Sequence, residues 1–502
     1  MKKLLIVLTL LFTVYSGINC TGNAGNNKND NKPRTIVTTD GEVDDMDTFI
    51  RLLLYMNEFK VEGIVYSSSQ WHYSGDGKGT LFTSPTNRQY GERTDLRWAG
   101  TEWIQNFINE YAKVYPNLLL HDPSYPSPEY LQNIVKVGNI EFEGEMSRET
   151  KGSDFIKQIL LDDKPGPVYV QIWGGTNTLA RALKSIQETY EGTQEWNNIY
   201  RKVSDKTVIY TVLDQDVTYN EYVAPNWPEI RVIYNSAQFW SFAYMWTRVV
   251  PDTLKPCMSG PWFKENILFN HGPLLENYFT WGDGKKIPGD PEHNQGDPEV
   301  AKQRNRSQYS FISEGDSPAY FFMLNYGLRS MEDPSYGGLG GRFVQSATNP
   351  RRWEDGRNVT DFNPYTGKEE SSYPQIRWIE DLQNDFAARA DWSVQPYDKA
   401  NHGPDIKLKG KNDLSVKAGE TVQLDAVAND PDGDQLNYSW WQYREAGSYP
   451  GEVEISNNTD QKTSVIVPTD AKPGQTIHII LEVKDNGEPA LTRYQRAVIT
   501  IQ

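Results

Sequence analysis

Five short runs between Arg34 and about Ser236 limit the architecture more than any other feature of the chain. They are "TIVTT", "VEGIVYSSS", "PVYVQIWGG", "TVIYTVLD" and "IRVIYNS". Each is rich in Val, Ile and Tyr, and segments of helical period such as "MDTFIRLLLYMN" and "TNTLARALKSIQETY" fall between some of them. Strand runs alternating with helical patterns read as βαβ units around a mostly parallel sheet, with helices on both faces. Several of the runs end in Ser, Asp or Gly. Open α/β sheets gather ligands beyond the carboxyl ends of their strands, so those endings are where chemistry is expected.

The first ending is the most acidic. "TTDGEVDDMDTF" places Asp40 at the exit of the first strand, and Asp44 and Asp45 in the first turn of the following helix. One or two acids there are explained by the helix dipole, which stabilises each by a few tenths to about 1 kcal/mol. Three converging carboxylates repel one another, and a hard cation with oxygen ligands relieves that repulsion. Ca²⁺ tolerates irregular oxygen cages and is the first choice, with Mg²⁺ second. Dipole-stabilising caps without a metal remain the other reading of the same residues.

The chain ends differently. From about residue 405 to 502, runs such as "ETVQLDAVAND", "TIHIILEVKDNG" and "RYQRAVITIQ" alternate with period two between turn signals, as expected for a small β-sandwich. The boundaries read from the sequence are an export signal at 1–20, a polar tether at 21–33, an α/β domain at 34–395, a linker at 396–404 and the sandwich at 405–502. Lys2 and Lys3 precede an apolar run from Leu4 to Val14, the order of a secretory signal. Cys20, followed by "TGNAGNNKNDNKP", resembles the lipidated start of a bacterial lipoprotein, which would make the membrane a partner only through that anchor. Ordinary cleavage and secretion is the alternative. Cys257 would be the only cysteine of the exported body, so an intrachain disulfide is excluded.

With 50 basic against 67 acidic residues the net charge is -17, which opposes a nucleic acid polymer as partner. Gly-x-Ser-x-Gly is absent, and the 6 His are too scattered for a zinc set. "SGDGKGT" (74–80) lacks the spacing of a phosphate loop. In the sandwich, Asp430, Asp432 and Asp434 of "NDPDGDQLNYSW" form either a turn carrying solvated acids or oxygen ligands for Ca²⁺. That stretch resembles polycystic-kidney-disease-type and cadherin-like sandwiches.

Four stretches in chain order resemble the inosine-uridine-preferring nucleoside hydrolases. "TTDGEVDDMDTF" is similar to that family's Asp-x-Asp-x-x-x-Asp-Asp signature. "VEGIVYSSSQ" is similar to its second strand and puts Gln70 at a substrate-contacting position. "VYVQIWGGTNTLARAL" is similar to its Gly-Pro-Leu-Thr-Asn-Leu-Ala segment, and "EGDSPAYFF" to its late His-Asp-Pro-x-Ala segment. The resemblance implies a Ca²⁺ set of Asp40, Asp45, the Thr176 carbonyl and Asp316, with Asp44 as general base. Asn177 falls among the substrate contacts. Asp214, Gln215 and Asp216 lie where the family binds ribose.

Two positions depart from the family: Thr38 stands for its first Asp, and Gly315 for its late His. With "SSSQWHYSGDG" and the terminal sandwich, the whole mature chain is closer to the nucleoside-hydrolase-like subgroup named after the cellulose-binding protein Sde182. Trp71 and His72 of "QWHY" could meet a sugar, and His72, Glu314 or Asp216 could protonate a leaving group. These readings imply an exported, Ca²⁺-dependent hydrolase of a glycan or glycoside. The alternatives are a non-catalytic carbohydrate-binding lipoprotein and a nucleoside N-ribohydrolase.

Overall fold

Strand β1 (Arg34–Thr39) is buried along its whole length, because both faces of the sheet it belongs to are covered. Ile36 faces one core and Val37 the other. The structure, a computed structural model, describes residues 32–357 and 359–502. The export signal at 1–20, Cys20 and nearly all of the polar tether lie outside the described residues. Among the described residues no helix is long and apolar enough to cross a membrane.

After β1 come α1 (Val43–Leu53), β2 (Lys60–Tyr66), α2 (Trp103–His121), β3 (Val135–Val137) and α3 (Lys151–Leu161). The second half holds β4 (Val168–Ile172), α4 (Asn177–Tyr190), α5 (Trp196–Lys206), β5 (Thr207–Val212) and β6 (Arg231–Asn235). Two later strands, β7 (Val344–Gln345) and β8 (Arg352–Glu354), complete the sheet. Its order is β3-β2-β1-β4-β5-β6-β8-β7, and every pair is parallel except β7 with β8. Chain order therefore runs outward in both directions from the β1–β4 neighbours. Crossovers diverge at that point and leave a crevice beyond the carboxyl ends of the two strands.

Alternation along the strands feeds two cores. Val168, Val170 and Ile172 of β4 join Leu179, Leu183 and Ile186 of α4 on one face. Tyr169 of β4 and Tyr210 of β5 point to the other face, with Phe49 and Leu53 of α1 and Trp103 and Phe107 of α2. That second core continues through α6 (Ser317–Phe321) and α7 (Ile379–Trp392).

The C-terminal strands are β9 (Asp405–Leu408), β10 (Asp413–Val416), β11 (Thr421–Asn429), β12 (Asn437–Gln442), β13 (Glu454–Ser456), β14 (Lys462–Ile466), β15 (Thr476–Lys484) and β16 (Thr492–Ile501). They form two sheets of four, ordered β9-β11-β14-β13 and β10-β16-β15-β12. β11 alternates exposed and buried residues, as a strand with one solvated face should. β15 is buried nearly throughout. Ile477, Ile479, Leu481 and Val483 face the sandwich interior, while Ile480 joins the α/β core.

The sandwich is thus a wall of the body. Arg493 pairs with Asp385 of α7 at 3.0 Å, and Arg496 Nε donates to the Leu328 carbonyl at 2.8 Å. The segment 396–404, polar enough to read as a linker, is also fixed. Asn401 Nδ2 donates to Asp485 (3.1 Å) and to the Pro489 carbonyl (2.8 Å), and Trp392 Nε1 donates to the Asn401 carbonyl.

Candidate active site

The acidic turn after β1 closes on itself. Thr39 Oγ1 and the Asp40 amide both donate to Asp45 Oδ1, which folds the helix's first turn back over the strand end. Asp40 Oδ1 accepts from the Glu42 amide at 3.4 Å, and its Oδ2 is buried without a partner. The glycine turn after β4 brings Gly174 against it: a Cβ there would lie 2.8 Å from Asp40 Cβ. A third segment arrives from far along the chain. Asp316, at the start of α6, places a carboxylate oxygen within 4.8 Å of oxygens of Asp44 and Asp45.

Asp40, Asp44, Asp45 and Asp316 are 0, 8, 1 and 2 % exposed. Burial, and then the charges of neighbouring acids, push the carboxyls of Asp44, Asp45 and Asp316 well above the usual range. The charges acting on Asp45 and Asp316 are all those of other acids. Glu42, raised to about 7 by burial and by Asp40, caps the group. Tyr244 Oη donates to Glu42 at 2.8 Å and lies 3.3 Å from Asp44 Oδ1.

This donor set fits a hard divalent cation. It is all oxygen, it lacks a compensating positive charge in contact, and it leaves Asp40 Oδ2 and Asp316 Oδ1 buried and unpartnered. Gly315 belongs to the same fit, since a Cβ there would sit 2.6 Å from Asp44 Oδ2. The position has no room for a side chain while Asp44 keeps its place.

Glu42, Asp44, Asp45 and Asp316 line a cleft of 590 Å³. Its lining also carries Trp71, Trp173, Trp240, Trp281, Tyr90 and Tyr244, and the arginines Arg97, Arg248, Arg304 and Arg306. Gln215, His293 and Gln295 add neutral or titratable polar groups. A larger hollow of 830 Å³, between the 248–255 and 357–372 segments, has no tryptophan and no convergent acids, so the smaller cleft is the better candidate.

Residues 34–343 match the family of the nucleoside-hydrolase-like domain of the cellulose-binding protein Sde182. The chain belongs to this family. Residues 421–501 match the C-terminal domain of the cellulose-binding protein Sde0182, so the Sde182 resemblance extends to the sandwich. Among solved structures, a nucleoside hydrolase-related hypothetical protein from Saccharophagus degradans, described as associated with carbohydrate metabolism, is 28% identical with a TM-score of 0.69. The match covers 94% of this chain and 100% of that one. The chain thus has the nucleoside-hydrolase-like fold, with a C-terminal all-β part, and a relative associated with carbohydrate metabolism. The effector protein XOO4466 (10% identity, TM-score 0.36, 73% of this chain and 95% of that) is a much weaker likeness. So is the PKD domain of human KIAA0319 (12%, TM-score 0.17, 22% and 88%). No curated protein matches the chain.

Against this Sde182-type framework the sequence candidates divide. Asp44, Asp45 and Asp316 converge, and Asp40 lies beside them against Gly174. The Thr176 carbonyl accepts the Ala180 amide at 2.9 Å, and the contact from this turn to the acids is made by Gly174, two residues earlier. Trp71 and Gln215 line the cleft. Gln70 donates its amide to the Gln215 carbonyl at 2.9 Å and so ties the two loops together. His72 is buried behind Glu42, its Nε2 3.6 Å from that carboxylate and its Nδ1 2.7 Å from the Arg97 carbonyl.

The remaining four candidates lie outside the cleft lining and are engaged in the scaffold. Asn177 is fully buried and braces Ser67, Ser68, Asn139 and Glu145. Asp216 caps α4, accepting from the Asn177 amide (2.9 Å) and from Thr218. Asp214 pairs with Arg352 at 3.2 Å. Glu314 accepts from Arg51, Tyr278 and Ser317. Sequence reasoning missed Glu42, Tyr244 and the arginine wall. Only Glu42 had a signal, its place inside the acidic turn.

In the sandwich, Asp430 Oδ1 accepts from the amides of Asp432 and Asp434, and Asp432 pairs with His402 at 3.0 Å. These bonds organise the turn and tie it to the 396–404 segment, and oxygens of Asp430, Asp432 and Asp434 lie within 4.8 Å of one another.

Proposed function

We propose that the chain is an exported, Ca²⁺-dependent hydrolase of glycosyl bonds that acts on a glycan or glycoside. The observation that carries this reading is the convergence of buried carboxylates from two distant segments, the turn after β1 and the start of α6, in a cleft lined by tryptophans. Asp40, Asp45 and Asp316 would hold the ion, with Mg²⁺ as second choice. When bound, such an ion supplies a Lewis acid that makes water a better nucleophile near neutral pH.

The chain's own groups do the rest. Asp44 accepts the proton of the attacking water at its carboxylate, a role typically worth a factor of about 10² to 10⁴. Tyr244 fixes that carboxylate's orientation together with Glu42. Trp71, Trp240 and Trp281 offer flat apolar faces to sugar rings, whose axial C–H groups are apolar while their hydroxyls reach the acids. Export rests on the segment 1–20, and anchoring on Cys20.

A second reading, a non-catalytic carbohydrate-binding lipoprotein, is favoured by Gly315, where no side chain can stand to assist a leaving group. A third, nucleoside N-ribohydrolysis, is supported by the fold. One experiment separates them: turnover of furanosides, pyranosides, inosine and uridine by wild type and Asp44→Asn, with Ca²⁺ binding measured in parallel. The hydrolase reading requires sugar release that Asp44→Asn abolishes while metal binding persists. Binding without product leaves the binder reading, and release of base from inosine or uridine alone leaves the nucleosidase.

A further inference from the structure

Most buried arginines in this protein are matched to acids, while Arg496 is satisfied by two carbonyls and His478. Arg51 pairs with Glu314 at 3.1 Å, Arg342 with Asp361 at 2.7 Å and Arg389 with Asp385 at 3.0 Å. On the cleft wall Arg97 follows the rule, bonded to Glu292 at 3.1 Å. Arg306, half-buried, and Arg248, exposed at the cleft, differ: among the described residues neither side chain has a hydrogen bond or ion pair.

Arg306 is the more telling of the two. Its guanidinium lies 5.7 Å from the Trp281 ring and 6.0 Å from the Trp246 ring, at the outer limit of a cation–π contact. Stacking of this kind orients the planar fork but gives its N–H groups no acceptor. Nε is buried and has none. Burial, and then the like charge of Arg248, disfavour its ionised form, and no carboxylate of the described residues pairs with either guanidinium. This occurs in a chain with 67 acidic against 50 basic residues, where a carboxylate partner is the easiest thing to supply.

We infer that Arg248 and Arg306 form an anion subsite, and that the sugar occupying the cleft carries a negatively charged substituent. This deepens the glycan reading above and rests on it. The acids take the hydroxyls of the reacting sugar, and the forked donors in the same cleft take a carboxylate, sulfate or phosphate group. Arginine suits all three anions because two parallel N–H groups match a pair of oxygens. Neutral glucans offer this wall hydroxyl acceptors but no charge to offset its own.

The test is calorimetric titration of the full chain, loaded with Ca²⁺, with four ligand series. These are oligogalacturonides (carboxylate), carrageenan oligosaccharides (sulfate), sugar 6-phosphates, and neutral cello-oligosaccharides or glucose as size-matched controls. The expected result is that one acidic series binds at least about tenfold more tightly than its neutral control. That preference should shrink as salt rises. Arg248→Ala and Arg306→Gln should each remove most of it while leaving neutral binding and the Ca²⁺-induced rise in Tm in place. Which acidic series responds identifies the anion. Equal binding of acidic and neutral ligands, or acidic binding unchanged in both variants, overturns the subsite and leaves the glycan reading standing. No binding by any saccharide overturns both.

Discussion

Replacing Asp316 by Asn should move the metal-free and the Ca²⁺-loaded protein in opposite directions. Carboxylate oxygens of Asp44, Asp45 and Asp316 lie within 4.8 Å of one another. Two unit charges at that distance repel by about 3.5 kcal/mol at an effective dielectric of about 20. Asp316 takes part in two such pairs, so full ionisation would cost about 7 kcal/mol. The metal-free protein has a cheaper course, which is to bind a proton. At pH 7 that costs about 4 kcal/mol for an Asp of ordinary pKa, at about 1.4 kcal/mol per unit. Asp316→Asn removes whichever penalty applies, so the metal-free variant should be as stable as wild type or more so, by up to about 4 kcal/mol. Its Ca²⁺ response should shrink. A wild type held at a hundred times its Kd gains about 2.7 kcal/mol from the ion. A variant that binds ten- to a hundredfold more weakly gains only about 1.4 to 0.4 kcal/mol under the same conditions. Thermal unfolding with EDTA and with excess Ca²⁺, for both proteins, reads out the two shifts. A variant that melts lower without metal, as a plain core defect would, or that keeps the full Ca²⁺ increment, refutes the metal cluster.

Gly315→Ala should act on the site through Asp44, because the new Cβ would stand 2.6 Å from Asp44 Oδ2. A stability loss of about 1–3 kcal/mol and a weaker Ca²⁺ isotherm are expected; an unchanged isotherm would separate Asp44 from the ion. The pH dependence of the metal-free protein follows from the raised carboxyls of Asp44, Asp45 and Asp316. Between the unfolded values near 4 and the raised folded ones, the native state binds more protons, so stability falls as pH rises through that window. Ca²⁺ binding at this site would displace those protons, and titrations in two buffers of different ionisation enthalpy should show their release. His478 gives the opposite limb: burial, and then the positive charge of Arg496, lower it to about 3. The unfolded chain takes up a proton there below about 6.5, so stability should be lost as pH falls from about 6.5 towards 3, by roughly 2 kcal/mol at pH 5. In His478→Gln that acid limb of a denaturation series should flatten.

The central sheet was legible because its strands are buried on both faces. Such strands read as unbroken Val/Ile/Tyr runs, and β1, β2, β4, β5 and β6 coincide with the five runs in the sequence. β3, three residues long, and the antiparallel edge pair β7–β8 were not legible, since so few residues carry no period. The same limit applies to the linker at 396–404. Its polar residues are the ones that bond to Asp485 and Pro489, and composition does not distinguish a polar group turned to water from one turned to a partner. Asp216 and Glu314 illustrate this within the site region. Each is an acid in a loop near the right strand end, yet one satisfies backbone amides of α4 and the other a buried arginine. The Asp44–Asp45 pair was easier because helix geometry alone places adjacent first-turn acids close to the strand they follow.

The arginines and tryptophans of the cleft wall lie mostly between Trp240 and Arg306, where the chain has little regular structure, and only the folded loops bring them into one cleft with the acids. That division of labour has a physical origin. The sheet fixes β1 beside β4, and the diverging crossovers open a crevice there whatever the loops contain. Carboxylates built directly onto the strand exit and the first helical turn inherit the rigidity of the sheet, which would suit the proposed role of holding an ion at fixed distances. Residues that choose a sugar can sit on loops, because exchanging them changes what binds without moving the acids. Gly315 joins the two layers. It is the point where the long loop excursion returns to the acids, and it meets them with no side chain, so that Asp44 and Asp316 can share one pocket. The acids would then set what the cleft can do to a bond, and the excursion from Trp240 to Gly315 which molecule is presented to them.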